Sequence, residues 1–219
     1  PVELQVENLI QVQIHEEYGL TFAKALRSIL RQDPDICMVG EVRDLETANI
    51  CIEAALTGHF VLSSLHTNSA VETVTRLLDM DVQPFMVTSS LEGVLAQRLV
   101  RRLCKDCSQA YRPDEEEMEK LGVPAQWKND PKFKLRRPKG CAACDYKGYK
   151  GRMGVHELLL INDDIREMIV SRTMTHVMRK YARKELGMKT LRESALLLAA
   201  QGKTSADEVL AHTELFIEE

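Results

Sequence analysis

The chain has 219 residues, with 29 Lys and Arg against 33 Asp and Glu, a net charge of −4. That length holds one large domain or a core with one or two small appendages, and the mildly acidic balance argues against bulk nucleic-acid binding while leaving local basic patches open. At 44% hydrophobic and 28% charged the chain is not largely disordered, and at 5% aromatic it must build an aliphatic core and has little with which to stack bases.

The longest purely aliphatic run, Ala195–Ala200, falls far short of the ~20 residues a bilayer span needs. The opening PVELQVENLI has neither the basic n-region nor the apolar h-region of a signal peptide, and with no initiator Met, Pro1 is expected to lie inside a longer parent chain.

Ile10, Val12 and Ile14 alternate with Gln11, Gln13 and His15, which predicts a half-buried strand. Phe22, Leu26, Ile29 and Leu30 follow at helical spacing, with a stop at Pro34. ICMVG, Ile36 to Gly40, reads as a parallel strand buried on both faces. Asp44 caps a predicted helix carrying Leu45, Ala48, Ile52, Ala55 and Leu56; Thr57-Gly58 ends it, and Phe60 to Leu65 reads as the next strand. Cys37 and Cys51, each alone in an apolar segment, read as small hydrophobes. Ser69 with Glu72 forms a capping box for another helix, and Ser90 is placed to cap one running towards Leu103. Strand–helix–strand of this length favours a βαβ unit in a parallel sheet. The texture changes at Cys104: residues 104–154 are rich in Pro, Gly, Lys and Arg, with an acidic run at Asp114 to Glu119 able to start a short helix. From Val155 onward the pattern is mostly helical, with capping boxes at Thr190/Glu193 and Ser205/Glu208 and with Gly187 and Gly202 suited to helix C-termini.

Two knuckles, Cys104-Lys-Asp-Cys107 and Cys141-Ala-Ala-Cys144, stand 33 residues apart. Without secretory signals, paired C-x-x-C motifs point to a reducing compartment and a metal. Four thiolates can surround Zn²⁺ tetrahedrally at ~2.3 Å and leave no open position, which makes a structural site. Four buried or redox-active thiols are the alternative.

In DPDICMVGEVRD an apolar strand ends in an acid, the Walker B arrangement at the carboxyl edge of a sheet, where ligands bind. Glu41 is placed to polarise an attacking water or to hold one in a magnesium shell. Gly40 stands where many NTPases carry the Mg²⁺-binding Asp, and a strand followed by a capped helix with exposed charges accounts for the same periodicity. In TGHFVLSSLHTNSA, His59 and His66 are seven residues apart, roughly 23 Å along an extended strand, so they cannot meet at one small ligand. A course parallel to ICMVG brings His66 to the Glu41 edge and leaves His59 at the far one. Thr67 and Asn68 come next and can sense a γ-phosphate; two solvated strand-end histidines are the alternative. Arg27 and Arg31 share one helix face. Arg98, Arg101, Arg102 and Lys105 lead into the cysteine module, and Lys132, Lys134, Arg136, Arg137 and Lys139 precede its second knuckle. That patch suits an acidic protein partner, with solvation, nucleic acid or anionic lipid as alternatives.

LTFAKALRSILRQDPDICMVGEVRDLETA, TGHFVLSSLHTNSA, LAQRLVRRLCKDC and GRMGVHELL closely resemble the secretion and pilus-assembly ATPases: the type II secretion ATPases (general secretion pathway protein E) and the type IV pilus extension ATPases. The resemblance runs from near Pro1 to beyond Ala211. It implies an α/β fold that is part of a RecA-like parallel-sheet P-loop core, usually hexameric, powering pilus or pseudopilus assembly from the cytoplasmic side of the bacterial inner membrane. ATP and Mg²⁺ would be its ligands and inner-membrane platform proteins its partners, with membrane association only through them and no nucleic acid. On that mapping Glu41, Arg43 and Asp44 belong to the Walker B box, and His59 and His66 to the His box. The cysteines match the family's zinc module, which pilus-retraction ATPases generally lack. Pro1-Val2-Glu3 resembles the end of the acidic E-D-P-x-E box, making Glu3 a marginal site residue. The Walker A loop should precede Pro1. Gly202-Lys203-Thr204 imitates its tail, but the first glycine's place falls at Leu197, within a predicted helix.

The resulting expectation is an ATPase core over 1–103 without its Walker A loop, a zinc module over 104–154 and a mostly helical part over 155–219. Glu41 and His66 are the candidate catalytic groups; Arg43, Asp44, His59, Thr67, Asn68 and Glu3 the candidate nucleotide-side residues. A zinc-ribbon nucleic-acid-binding protein without enzymatic activity is the contrasting reading.

Overall fold

Side-chain caps set where the helices begin in the computed structural model, which describes residues 2–216. Thr21 accepts the Lys24 N–H and opens α1 (Phe22–Leu30), which is followed by β1 (Ile36–Val39). Asp44 accepts the Thr47 N–H at the start of α2 (Leu45–Leu56), and β2 (Phe60–Ser63) follows. Ser69 accepts the Glu72 N–H for α3 (Ala70–Asp79), and Pro84 begins α4 (Pro84–Ser90). The chain continues through β3 (Gly93–Leu103), β4 (Gln109–Tyr111), α5 (Glu115–Leu121), α6 (Ala125–Lys128), β5 (Leu135–Arg137) and β6 (Tyr149–Leu160). It then forms α7 (Asp163–Val170), α8 (Thr175–Lys184), α9 (Leu191–Ala200) and α10 (Ala206–His212). Two compact units result, one from residues 1–94 with 160–178 and the other from 95–159 with 179–219.

In the first unit β1 and β2 pair in parallel with Ile36 opposite Phe60 and Val39 opposite Ser63, and α2 forms the crossover between them. The strand is not buried on both faces as its run of apolar residues suggests. Cys37 and Val39 are buried, but Ile36 and Met38 are 65% and 75% exposed, and on β2 Phe60 and Leu62 lie open on the same face. β2 stops at Ser63, short of Leu65, because the Ser63 and Ser64 hydroxyls turn back to the carbonyls of Val39 and Gly40. Cys37 and Cys51 are buried, and burial pushes the Cys51 thiol up to about 11, consistent with two inert packing residues. α4 packs against α2, α3 and α7.

No strand forms over Ile10, Val12 and Ile14. Ile10 is 99% exposed, and the Gln11 and Gln13 side chains bond main-chain groups of their own segment instead. An isolated strand cannot satisfy its backbone without a neighbour, and none lies beside this segment among the described residues. The predicted helix from Ser90 to Leu103 is also replaced: Ser90 ends α4, and Gly93–Leu103 is the long strand β3, hydrogen-bonded to β6. Val94, Ala96, Arg98 and Val100 form its more buried side, while Leu95 and Leu99 stay half-exposed. Pairing with a distant strand outweighs the helical propensity of Leu, Ala, Gln and Arg.

The second unit gathers Val100, Leu121, Leu135, Val155, Ala195 and Val209 into one core, with Trp127 stacked on Phe133 at 5.6 Å. The antiparallel pair β4–β5 holds the module's middle. β6 runs unbroken across residue 154. Thr190 and Glu193 form a reciprocal capping box on α9, and Ser205 caps α10. Gly202-Lys203-Thr204 is the turn between those helices: Thr204 donates to the Arg101 carbonyl, and the Lys203 carbonyl accepts the Leu103 N–H. Among the described residues no helix is long and apolar enough to cross a membrane.

Candidate functional site

β1 delivers Glu41 two residues beyond its end, at the carboxyl edge of the parallel pair. The Val42 N–H donates to the Ser64 carbonyl at 2.9 Å, fastening the two strand exits together. The Glu41 side chain is 11% exposed and holds a different group on each oxygen: Arg43 Nη2 lies 2.5 Å from Oε1, and His66 Nε2 lies 3.0 Å from Oε2. The hydrogen bond from Arg43 holds the Glu41 carboxyl below its usual range; partial burial opposes this and His66 adds to it. The His66 ring itself is 88% exposed. An ionised carboxylate, oriented by a guanidinium and next to an open imidazole, can accept a proton or orient a water.

His59 sits at the opposite end of β2. Its Nδ1 lies 2.9 Å from the Ala54 carbonyl and 3.2 Å from the Thr57 hydroxyl, so the ring caps the end of α2. The parallel register thus brings His66, and not His59, to Glu41. Asp44 is occupied as the α2 cap, its two oxygens taking the Thr47 N–H and hydroxyl. Thr67 is drawn into the start of α3, pairing with the Thr73 hydroxyl at 2.8 Å, and Asn68 is exposed beside it. Glu3 lines a hollow of about 750 Å³ formed by residues 2–13, which none of the other candidate residues borders. Arg27 pairs with Glu46 across α1 and α2.

The four cysteines meet. Their sulfurs all lie within 4.8 Å of one another, with Cys104–Cys141 and Cys107–Cys144 at 3.9 Å and Cys141–Cys144 at 3.8 Å. A tetrahedron with metal–sulfur arms of ~2.3 Å has edges of about 3.8 Å, whereas a disulfide would bring two sulfurs to about 2.05 Å. Main-chain donors surround the cluster: Gly140 N–H to Cys107, and Cys141 and Gly148 N–H to Cys144, at 3.2–3.3 Å. Burial raises the Cys144 thiol, but those two N–H groups outweigh it and lower its pKa to favour thiolate. The two glycines were not singled out from the sequence. Gly140 has φ +99° and a Cβ there would meet the Tyr146 carbonyl at 2.5 Å; Gly148 has φ +76° and a Cβ would meet Pro138 at 2.4 Å. The signal was there: one glycine directly precedes the second knuckle and the other follows it by four residues.

Several of the basic residues around this module are engaged at home. Arg101 pairs with buried Glu208 and lies 4.0 Å over the Tyr149 ring; Arg136 bonds Ser108; Arg137 lies 5.5 Å over Tyr111. Lys105, Lys132, Lys134 and Lys139 remain exposed.

Residues 1–211 match the type II/IV secretion system proteins. The chain is 49% identical over 213 residues to the type IV pilus assembly ATPase PilB of Thermus thermophilus, covering 97% of this chain and 24% of that protein. It is 47% identical over 214 residues to the type II secretion system ATPase E of Vibrio cholerae, covering 98% of this chain and 41% of that protein. Among solved structures, the pilus retraction motor PilT with bound ADP matches with a TM-score of 0.59 and 25% identity, over 89% of this chain and 44% of that one. The Legionella pneumophila ATPase DotB matches in fold, with a TM-score of 0.59 and 23% identity, over 86% of this chain and 41% of that one. The chain thus spans less than half the length of these relatives.

Proposed function

The chain belongs to the family of type II/IV secretion system proteins, and we propose on that footing that it forms part of an ATPase coupling ATP hydrolysis to type II protein secretion or type IV pilus extension. The unit that holds the parallel pair, residues 1–94 with 160–178, supplies part of a RecA-like core, and the unit that holds the four cysteines, 95–159 with 179–219, carries the metal module. The intact protein works as a homo-hexamer at the cytoplasmic face of the inner membrane, held there by platform proteins. The observation that carries this reading is Glu41 at the carboxyl edge of the parallel pair, its two oxygens held by Arg43 and His66, in a chain so similar to two ATPases.

Glu41 is the group that orients or deprotonates the attacking water, because it is ionised and aimed by two separate donors. His66 stands beside it, exposed to whatever binds at that edge. Arg43 is a positioning residue, acting through Glu41. Mg²⁺ accompanies ATP and neutralises phosphate charge; both Glu41 oxygens face Arg43 and His66 and both Asp44 oxygens serve the α2 cap, and each of these oxygens keeps a further lone pair that can accept from a water. The phosphates need a glycine-rich cradle that these 219 residues lack, so the stretch alone is expected to release no phosphate from ATP.

For the cysteine cluster we assign one structural Zn²⁺ per chain, held by Cys104, Cys107, Cys141 and Cys144. The sulfur spacing fits its tetrahedron, and the ion's chemistry there is to fix the fold rather than to activate a water.

The test is turnover and nucleotide binding in the full-length parent. Glu41→Gln should leave binding largely intact and lower turnover at least tenfold, since a water-orienting group acts on the transition state. His66→Ala should lower turnover more than His59→Ala, whose ring caps a helix at the opposite strand end. Unchanged turnover in Glu41→Gln would remove Glu41 from the mechanism.

A further inference from the structure

Among the described residues, Arg192 is a buried cation without a carboxylate partner. It lies at the start of α9, 6% exposed, in the core of the second unit. Its Nη1 donates to the Lys120 carbonyl at 3.3 Å and its Nη2 to the Thr213 carbonyl at 2.7 Å, while its Nε is buried with no hydrogen-bond partner. Neutral carbonyls satisfy protons but do not balance charge, and no carboxylate among the described residues pairs with this guanidinium. Taking a cation out of water without a partner costs several kcal/mol. Burial works against the charged form, and the Arg192 pKa is lowered accordingly. A guanidinium nonetheless stays protonated in proteins, so the charge persists and calls for an anion.

There is room for one. Arg192 lines a cavity of about 240 Å³, together with the apolar side chains of Leu121, Leu196, Leu215 and Phe216. Arg183 and Glu193 also border it, paired with each other at 2.7 Å, so the two arginines and one glutamate leave a net charge of +1 in the lining. The cavity is smaller than the roughly 300–1,000 Å³ that holds a drug-sized molecule, which limits its contents to a single small group.

We propose that this cavity is a carboxylate-binding site: one carboxylate pairs with the Arg192 guanidinium, with a short aliphatic stem against Leu121, Leu196 and Leu215. The pairing is charge-assisted, and a guanidinium offers two parallel donors to a carboxylate. The apolar wall discriminates against hydrated inorganic anions, which have no stem to place there. The carboxylate has two available sources. One is a separate molecule, such as the acid side chain of a partner peptide. The other is this chain, because Ile217, Glu218 and Glu219 follow Phe216 in the sequence.

Nuclear magnetic resonance of the full 219-residue chain distinguishes the sources, with the Arg192 Nε–H and the Leu121 and Leu196 methyls as reporters. Sodium butyrate is titrated against sodium chloride at equal ionic strength, with neutral butyramide as control. A saturable butyrate shift in the unaltered protein, at least tenfold tighter than butyramide, shows a site open to a separate carboxylate. Saturation only in the Glu218→Gln/Glu219→Gln double variant, made with an amidated C-terminus so that no terminal carboxylate remains, shows that the chain's own carboxylate fills it. Arg192→Met should weaken butyrate binding at least tenfold in whichever protein binds. No saturable shift in either protein overturns the proposal, and so does butyramide binding as tightly as butyrate. Should Arg192→Met not fold, the Nε–H titration of the unaltered chain and the double variant decides alone.

Discussion

The cysteine cluster and the Glu41 edge differ in how far each is finished by its own surroundings. Around the cysteines everything needed lies within residues 104–148: four sulfurs at tetrahedral spacing, and N–H donors from Gly140, Cys141 and Gly148. At the Glu41 edge the carboxylate is held, but the strands that present it are covered on one face only, with Ile36, Met38, Phe60 and Leu62 open on the other. Two strands alone make a marginal sheet, and this pair leaves an apolar stripe open among the described residues. A cysteine cluster that can hold a metal has its own means to fold; a strand-end acid depends on the sheet that delivers it.

The largest expected effect comes from breaking the self-contained side. Stripping zinc with a chelator, or replacing Cys144 with Ser, should unfold the module, since structural zinc contributes on the order of 10–16 kcal/mol in small peptides. Elemental analysis of protein purified without added metal should return one zinc per chain, and amide exchange should then show protection lost over 104–148 but kept in α2 and α3. Loss of protection in both places would end the contrast between the regions.

A smaller effect is expected at the buried acid that fastens the second unit. Glu208, 2% exposed, accepts the Arg101 main-chain N–H at 2.7 Å and its Nε at 2.8 Å. Burial tends to raise the Glu208 pKa, but the Arg101 bonds outweigh it and hold it below the ordinary value. A depressed carboxylate contributes stability that is present above the ordinary value of 4.5 and is lost as pH falls through the lowered one. Glu208→Gln should cost about 2 kcal/mol at neutral pH, the scale of a charge-assisted hydrogen bond, and should flatten the acid limb of the urea-midpoint profile. An unchanged acid limb would show that another carboxylate governs it.

The smallest effect belongs to the Glu41 side. Asp44→Ala removes the α2 cap and should cost about 1 kcal/mol in urea unfolding, with the Glu41–His66 pairing kept because neither residue touches Asp44. If nucleotide binding in the parent falls more than this loss of stability explains, Asp44 serves the ligand as well as the helix.

What could be read from residues alone follows the same division. The knuckles, the caps at Asp44, Ser69, Thr190 and Ser205, and the parallel β1–β2 pair are local in sequence, and short-range chemistry decides them. β3 departs from the helix expected after Ser90 because VLAQRLVRRL is compatible with both periods, and the side that is buried alternates through Val94, Ala96 and Val100. Only its pairing with β6, some fifty residues on, resolves the ambiguity. The strand expected at Ile10–Ile14 failed for the converse reason, a period without a partner. At the site, strand direction is enough to bring Glu41 and His66 to one sheet edge, whereas Arg43 as the partner of a Glu41 oxygen needs side-chain geometry that spacing does not contain.

The Arg101–Glu208 bond also has a consequence in time. Its two ends lie 107 residues apart, and ribosomes add roughly 5–20 residues per second. β3 therefore leaves the ribosome about 5–20 s before the acid that caps its edge has been made. During that interval Arg101 has no Glu208, its carbonyl lacks the Thr204 hydroxyl, and Leu103 lacks the Lys203 carbonyl. Contacts closed over so long a loop form late in any case. The nascent chain thus carries an unfinished strand edge until α10 emerges, and a ribosome stalled between the two would hold that edge open to pairing with another chain.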